Sequence, residues 1–254
     1  SGTGACMARH FAASGAHIII AGRRKSALEA VAEGCSTIYP FVCDVTQETA
    51  VADLFDFAEG KGVPQAAADI VIANAGIAAS APLDKTDRSL WDQIIAVNLT
   101  GPFLTLREGL VRMKAANCQQ GRLIAIASMT AKRAYPYISA YAASKHGVLG
   151  LVKSAALEVA ALRSGSSDSA QKNITVNAIC PGYLDTEMTR SSIVNIVEKT
   201  GLSPEQAAEK LHNYSPQKRL FTADEVAQSA LYLASPAASG INGQALSIDG
   251  GETW

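Results

Sequence analysis

The sequence has few of the features that mark secreted, membrane-spanning or nucleic-acid-binding proteins. Its five cysteines are scattered and form no Cys-x-x-Cys pair, which argues against a disulfide framework and favours reduced thiols. The formal net charge is −1, so no overall positive charge attracts a polyanion. The longest apolar runs fall far short of the roughly 20 residues that span a bilayer. These absences predict a soluble, cytoplasmic protein without nucleic-acid or membrane partners.

The chain does contain enough apolar sequence for a substantial core. Of its 254 residues, 48% are hydrophobic and 18% are charged, which excludes intrinsic disorder. No repeat or linker divides the chain, because the serine-rich stretch 164–169 is too short for a linker and is typical of a surface loop. We therefore expect a single domain over residues 1–254.

Short apolar runs alternate with longer alanine-rich helical patterns along the chain. The runs are almost continuously apolar, as expected for strands covered on both faces. This alternation predicts an α/β fold with one doubly wound parallel sheet and helices on both of its faces. The predicted strands are 17–21, 37–43, 69–73, 122–127, 174–180 and 244–248. The predicted helices are 5–13, 25–33, 47–60, 88–116, 139–163, 187–198, 203–212 and 223–234.

The segment Gly2-Thr3-Gly4 is typical of a phosphate-binding turn that leads into a helix at Ala5. Glycines let the backbone approach a pyrophosphate, and the helix N-terminus supplies partial positive charge. Such a turn follows a strand, so we expect the natural chain to extend upstream by roughly 10–20 residues that contain it. The alternative is an ordinary glycine turn, since Met7 stands where the dinucleotide fingerprint has its third glycine.

The predicted strand 17–21 is followed by Gly22-Arg23-Arg24. A site specific for NAD(H) places a carboxylate there for the ribose 2′-hydroxyl, whereas a guanidinium attracts the 2′-phosphate of NADP(H). Arg23 therefore favours NADP(H), with NAD(H) as the alternative cofactor. Two solvated arginines at the start of a loop would give the same sequence.

A tyrosine and a lysine lie four residues apart in the helical window 139–163. Tyr141 and Lys145 share one helix face, where the ammonium would stabilise a phenolate and lower the pKa of the tyrosine. Ser128 follows the strand 122–127, at the strand end where ligands bind in such sheets. Together they predict proton exchange with an alcohol or a carbonyl, although a tyrosine–lysine pair alone is more often a surface feature.

Essentially the whole chain resembles the short-chain dehydrogenase/reductase family. Family members have a Rossmann-type sheet of seven parallel strands, of which this sequence shows six, so the resemblance also implies an upstream strand. Ala73 departs from the commoner Asn-Asn-Ala-Gly motif. The motifs that carry the resemblance are Gly2-Thr3-Gly4, Cys43-Asp44-Val45, Ala73-Asn74-Ala75-Gly76, Val97-Asn98, Ser128, Tyr141 to Lys145, and Pro181-Gly182 with Thr186.

The resemblance implies a role for each matched residue. Tyr141 would be the general acid/base and Ser128 would bind the substrate oxygen. Lys145 would hold the nicotinamide ribose, and Asn98 would position a water that connects Lys145 to solvent. Judged from the residues alone, Asn98 could equally cap or kink a helix. The cofactor would also contact Gly2, Thr3, Gly4, Arg23, Asp44, Val45, Asn74, Ala75, Gly76, Pro181, Gly182 and Thr186.

Two of these cofactor positions have purely structural alternatives. Asp44 could be a turn residue that ends a strand, and Pro181-Gly182 could be a plain turn. Beyond the matched motifs, Lys132 and Arg133 could either meet a coenzyme A phosphate or stay solvated.

These assignments predict an NADP(H)-preferring oxidoreductase that moves a hydride between nicotinamide and a secondary alcohol or ketone. The segment 183–218 resembles the substrate lid of 3-hydroxybutyrate dehydrogenases and 3-oxoacyl reductases, so a 3-hydroxyacyl or 3-oxoacyl substrate is expected. No metal is expected, because the four histidines show no ligand spacing. The resemblance implies a homotetramer. The alternatives are an NAD-dependent hydroxy-acid or alcohol dehydrogenase and a non-catalytic dinucleotide sensor.

Overall fold

The computed structural model describes residues 2–60, 67–164 and 173–253. In these ranges strands and helices alternate as predicted, and the elements differ from the predicted bounds mainly at their ends. The strands are β1 (Ile18–Gly22), β2 (Ile38–Val42), β3 (Ile70–Ala73), β4 (Gln120–Ile126), β5 (Asn173–Pro181) and β6 (Ala245–Ile248). The α-helices are α1 (Gly2–Ala13), α2 (Lys25–Ala32), α3 (Glu48–Glu59), α4 (Arg88–Ile95), α5 (Gly101–Ala115), α6 (Ser139–Ser164), α7 (Glu187–Thr200), α8 (Pro204–Tyr214) and α9 (Ala223–Ala234).

Two predicted elements need correction. The segment Gly2-Thr3-Gly4 lies in the first turn of α1 rather than before the helix, with only Gly2 in a left-handed conformation at φ 57°. The predicted helix 88–116 is two helices, because a π-helical stretch, Ala96–Thr100, separates α4 from α5. The predicted surface loop, apart from the helical Ser164, lies outside the described residues.

All paired strands are parallel, which confirms the α/β fold. The strands β3, β4, β5 and β6 form one sheet in that order, and β1 pairs with β2. Within the described ranges these two groups of strands are not hydrogen-bonded to each other. The predicted single sheet is thus present as two parallel parts.

Helices cover both faces of the four-stranded sheet. Successive side chains of a strand point to opposite faces, so Leu123 and Ala125 of β4 pack into one core while Ile124 and Ile126 pack into the other. The first core includes residues of α3, α5 and α6, and the second includes residues of α1 and α9. Because the strands are parallel, the carboxyl ends of β3, β4 and β5 meet at one edge, where ligands bind in sheets of this kind.

The stretch that contains α4 and α5 is, by length and composition, apolar enough to cross a membrane. In the structure it behaves as a core element. Leu104 and Met113 of α5 are 5% and 0% exposed, and α5 packs on β3 and β4. Its apolar composition is thus explained by burial within the protein.

We predict that Gly109→Ala lowers the free energy of unfolding by about 1 kcal/mol. A Cβ on Gly109 of α5 would lie 2.9 Å from Cγ2 of Val71 in β3, so the helix would have to move off the sheet. Urea denaturation measures the change.

Gly150→Ala in α6 is the matched control. It meets no atom within 4 Å and should raise stability by about 0.5–1 kcal/mol through helix propensity. Equal effects of the two substitutions would contradict the close approach of α5 to β3.

Candidate active site

Ser128, Tyr141 and Lys145 come together at the carboxyl end of β4. Ser128 follows that strand, and its side-chain oxygen accepts a hydrogen bond from Thr130 N–H at 3.2 Å. Tyr141 and Lys145 lie in the first two turns of α6, and Lys145 Nζ is 5.8 Å from the centroid of the Tyr141 ring. Lys145 Nζ also donates to the Ile126 carbonyl at 3.0 Å, which holds α6 against the strand end. The structure thus brings together the three residues predicted to exchange the proton.

The pKa of Tyr141 does not shift in the expected direction. Burial raises it, and hydrogen bonding with the Ser128 hydroxyl only partly opposes this rise. Lys145 was expected to lower this pKa, but its ammonium lies over the ring and donates to a backbone carbonyl. The phenol is consequently protonated at neutral pH in the protein alone.

Lys145 is a buried cation. Its side chain is 3% exposed, and in the described part of the chain no carboxylate forms an ion pair with it. Burial lowers the pKa of Lys145 to about 8. The amine is therefore still mostly charged at neutral pH, but close enough to its pKa to exchange protons.

Asn98 lies in the π-helical stretch and is fully buried. Its Oδ1 accepts from Ile77 N–H at 2.9 Å, and its Nδ2 donates to the Ile77 carbonyl at 2.9 Å and to Ser144 Oγ at 3.3 Å. The side chain therefore ties the loop after β3 to α6. A π-helical turn often occurs at functional sites, because it places a side chain where a regular helix would not.

The loop after β3 passes close to the buried lysine at Gly76. A Cβ on Gly76 would lie 3.5 Å from Asn98 Oδ1 and 3.6 Å from Lys145 Nζ, which is ordinary van der Waals contact. The amide oxygen and the ammonium thus face the same region beside Gly76.

Residues suited to a dinucleotide lie around the same edge. The left-handed Gly2 begins α1, and a Cβ on Gly4 would lie 2.7 Å from Asn74 Nδ2, so α1 approaches the loop after β3 closely. The helix N-terminus offers backbone N–H groups to a phosphate. Thr3 lies between the two glycines, and Ala75 follows Asn74. This arrangement fits the pyrophosphate of a bound NAD(P)(H).

Arg23 and Asp44 follow the ends of β1 and β2. Arg23 is exposed, and its charge helps to lower the pKa of Asp44. The larger cause is hydrogen bonding, because Asp44 Oδ1 accepts from Thr46 N–H at 3.0 Å and from the Thr46 hydroxyl at 2.8 Å. Val45 contacts α5, where a Cβ on Gly101 would lie 2.9 Å from Val45 Cγ2.

The turn after β5 contains the other expected cofactor positions. Pro181 ends β5, and a Cβ on Gly182 would lie 3.2 Å from Asp249 Cα, so the turn packs closely on the C-terminal segment. Thr186 is the residue that precedes α7, and its side chain makes no capping hydrogen bond there. Its hydroxyl is thus not used by the helix.

Sequence reasoning missed several residues of the site. Thr130 is 4% exposed, and its hydroxyl lies beside Tyr141, where it joins Ser128 in opposing the rise in the pKa of the phenol. Its position two residues after Ser128 was the one available signal. Lys132 was considered for a phosphate contact, but its Nζ donates to the Ala245 carbonyl at 2.7 Å and to Ser247 Oγ at 2.8 Å.

Three tyrosines, here called the tyrosine wall, also lie near the site: Tyr135, Tyr183 and Tyr214. Tyr214 stacks edge-on with Tyr135 at 5.3 Å between ring centroids and lies 5.7 Å from Tyr183. Tyr135 donates to the buried carboxyl of Glu252 near the C-terminus. Burial and these neighbours raise the pKa of Tyr183, with a smaller contribution from Tyr141.

The sequence showed no ligand spacing among the four histidines. The structure places His10 beside Cys6, one turn earlier in α1, and beside Asp224 in α9. This group lies on the other face of the sheet from Tyr141 and Lys145.

Comparison with known proteins agrees with this geometry. The family described as enoyl-(acyl carrier protein) reductase matches residues 1–253. An uncharacterised oxidoreductase of Bacillus subtilis is 36% identical, with 99% of this chain and 94% of the relative covered. A D-beta-hydroxybutyrate dehydrogenase of Rhizobium meliloti is 35% identical, with 100% of this chain and 95% of the relative covered.

Solved structures show the same fold. Sorbitol-6-phosphate 2-dehydrogenase of Erwinia amylovora has a TM-score of 0.89 at 29% identity and covers 100% of this chain and 96% of its own. A variant of actinorhodin polyketide ketoreductase with NADPH has a TM-score of 0.89 at 28% identity, and the match covers 99% of this chain and 93% of the ketoreductase chain.

The chain belongs to the short-chain dehydrogenase/reductase family, as its motifs predicted. It is an NAD(P)-dependent oxidoreductase of this family that acts on hydroxy or keto compounds.

We predict that Lys145→Met raises the free energy of unfolding at pH 7 by about 2 kcal/mol, because the native state no longer buries a charge. The native lysine loses its proton near pH 8, whereas the unfolded one keeps it to about 10.5. Between these two pH values the unfolded wild type binds more protons than the native state, so the free energy of unfolding of the wild type rises with pH. The difference in this free energy between wild type and Lys145→Met therefore shrinks.

Urea denaturation at pH 7, 8 and 9.5 measures this. Lys153→Met, at an exposed position of the same helix, is the matched control and should show no such pH dependence. A difference between wild type and Lys145→Met that stays constant over this range would contradict the burial of a charged Lys145.

Proposed function

We propose that the protein is an NADP(H)-preferring reductase or dehydrogenase of ketones and secondary alcohols, with Tyr141 as the proton donor and acceptor. The observation that carries the proposal is the convergence of Ser128, Tyr141 and Lys145 at one strand end beside a fitting dinucleotide cradle. Folding alone does not explain this grouping, because a buried lysine without a carboxylate partner costs stability.

The side chains divide the chemistry between them. When bound, the nicotinamide supplies or accepts the hydride. The Ser128 hydroxyl orients the substrate oxygen toward Tyr141. Tyr141 then donates its proton to a carbonyl oxygen during reduction or takes one from a carbinol during oxidation. Its raised pKa keeps it protonated at neutral pH, which suits the reductive direction.

Lys145 and Asn98 support that proton transfer. The Lys145 amine, with a pKa near 8, can restore the proton that Tyr141 loses. Asn98 Oδ1 and Lys145 Nζ face the same space beside Gly76, and a water bound to both would link the amine to solvent. Asn98 therefore acts as a positioning residue, and its hydrogen bonds to Ile77 hold the loop that borders this space.

The cofactor preference rests on Arg23. Its guanidinium is exposed beyond the end of β1, where the 2′-phosphate of NADP(H) would bind, and Asp44 is already engaged by Thr46. Asp44, Val45, Asn74 and the turn Pro181-Gly182 with Thr186 would complete the nucleotide contacts.

A 3-hydroxyacyl or 3-oxoacyl compound is the proposed substrate. The relatives named as a D-beta-hydroxybutyrate dehydrogenase and a polyketide ketoreductase support this class. The segment 183–218 contains α7 and α8, and Lys199 Nζ of α7 donates to the Ser80 carbonyl at 3.2 Å, so the segment reaches across to the loop after β3. It can therefore act as the substrate lid, with the tyrosine wall on its inner side.

The remaining expectations stay proposals. We propose that the chain forms one catalytic domain. We also propose a homotetramer located in the cytoplasm. All five cysteines are free thiols, which supports a reducing compartment.

We predict that Tyr141→Phe lowers kcat for ketone reduction by about 10³-fold because it removes the transferable proton. NADPH binding, measured by fluorescence titration, should change by less than about twofold, since the ring remains. A screen of 3-oxoacyl and other ketones followed by NADPH absorbance supplies the substrate.

Tyr137→Phe is the matched control, because Tyr137 is 66% exposed and should tolerate the change. Near-native turnover by Tyr141→Phe would refute the assigned proton donor.

We predict that Arg23→Ser lowers kcat/KM for NADPH by about 10- to 100-fold and leaves that for NADH nearly unchanged. The reason is loss of a charge-assisted contact to the 2′-phosphate. Steady-state kinetics with both cofactors measures this, and Lys25→Ser, at an exposed position two residues on, is the control. A wild-type enzyme that prefers NADH tenfold would favour the NAD-dependent alternative instead.

A further inference from the structure

Three metal-ligating side chains meet where α1 packs against α9. Cys6 and His10 lie four residues apart on one face of α1, and Asp224 lies in the first turn of α9. One ligand atom from each residue lies within 4.8 Å of the other two. Cys6 and His10 are partly buried and Asp224 is exposed, so the group is reachable from solvent.

Two of the spacings between these atoms match those of a tetrahedral metal site. Asp224 Oδ1 lies 3.5 Å from Cys6 Sγ and 3.3 Å from His10 Nε2. Ligands at typical zinc–sulfur, zinc–nitrogen and zinc–oxygen distances stand about 3.3–3.6 Å apart at the corners of a tetrahedron. Cys6 Sγ also lies 3.6 Å from His10 Nδ1, and the three ligand atoms lie within 4.8 Å of one another, so small side-chain movements would let them share one cation.

The histidine is already oriented for this role. Its Nδ1 lies 3.0 Å from the Cys6 carbonyl, a hydrogen bond that makes Nδ1 the protonated nitrogen. Nε2 is then the basic nitrogen, and it faces the Asp224 carboxylate. A backbone acceptor for the second ring nitrogen is the usual support of a metal-bound histidine.

We propose that Cys6, His10 and Asp224 bind a single Zn²⁺ ion, with a water as the fourth ligand. A thiolate, an imidazole and one carboxylate suit Zn²⁺ or Co²⁺ and are a poor set for Mg²⁺ or Ca²⁺, which prefer oxygen ligands. On binding, the Cys6 thiol loses its proton to solvent as the sulfur–metal bond forms, and no electron is transferred.

The ion would act as a cross-link between α1 and α9. These helices pack on the face of the sheet opposite to α6, so the ion takes no part in the proton transfer at Tyr141. It would tie the start of α1, with its glycine turn, to the start of α9. Its effect is therefore on stability and is independent of the proposed reductase activity.

Titration of the purified, tag-free protein with Co²⁺ tests the site. Wild type should bind one equivalent and develop a near-ultraviolet thiolate-to-metal charge-transfer band with visible bands of tetrahedral intensity. Zn²⁺ should displace Co²⁺ and bleach these bands, and should raise Tm by about 5 °C. Circular dichroism first establishes that each variant is folded.

Matched variants identify the ligands. Cys6→Ser should abolish the charge-transfer band, and His10→Gln and Asp224→Asn should each weaken Co²⁺ binding at least about tenfold. Cys35→Ser and His17→Gln, at a partly buried cysteine and an exposed histidine elsewhere, should leave the spectrum unchanged. Absence of the thiolate band in wild type, or its persistence in folded Cys6→Ser, would overturn the proposal.

Discussion

The burial of one ammonium group is the constraint on which the rest of the site depends. Lys145 is almost fully buried at the carboxyl end of β4, and its Nζ donates a hydrogen bond to the Ile126 carbonyl. The carbonyl at the end of β4 can accept this hydrogen bond only if α6 crosses the edge of the sheet at a fixed position. That crossing also places Tyr141 one helical turn away, beside Ser128. The same contact therefore positions the helix and assembles the proton-transfer group.

Close backbone packing makes this arrangement possible. Gly109 lets α5 approach β3 closely, and the loop after β3 passes beside the lysine at Gly76. Between them, the π-helical stretch turns Asn98 inward to hold that loop through Ile77. Burial of Lys145 destabilises the fold, and the apolar cores on the two faces of the sheet offset this effect. Such a balance is typical of a site selected for chemistry.

The parts of the structure that depend on local pattern could be predicted from the sequence. Continuous apolar runs marked the strands, and the four-residue spacing of Tyr141 and Lys145 placed them on one helix face. The break at Ala96–Thr100 could not be found this way, because the helical pattern continues through it. The reversed shift in the pKa of Tyr141 could not be found either, since it is the balance of burial against hydrogen bonds with Ser128 and Thr130.

Contacts between distant segments were also beyond local pattern. His10 and Asp224 are separated by most of the chain, and Tyr135 and Glu252 by 117 residues, yet each pair is in contact. A histidine four residues after a cysteine is unremarkable until α9 is docked beside it. Such pairs arise because helices pack on the sheet, and the residue spacing within one helix does not predict that packing.

The central claim is that burial keeps the Tyr141 phenol protonated at neutral pH, so that it can donate a proton to a substrate carbonyl. Carbon-13 NMR of protein labelled at the tyrosine ζ-carbon measures this directly, with Tyr141→Phe used to assign the resonance. We expect the Tyr141 phenol to titrate above the ordinary tyrosine pKa of about 10, because burial disfavours the phenolate. Titration of Tyr141 at or below that ordinary value would contradict the claim.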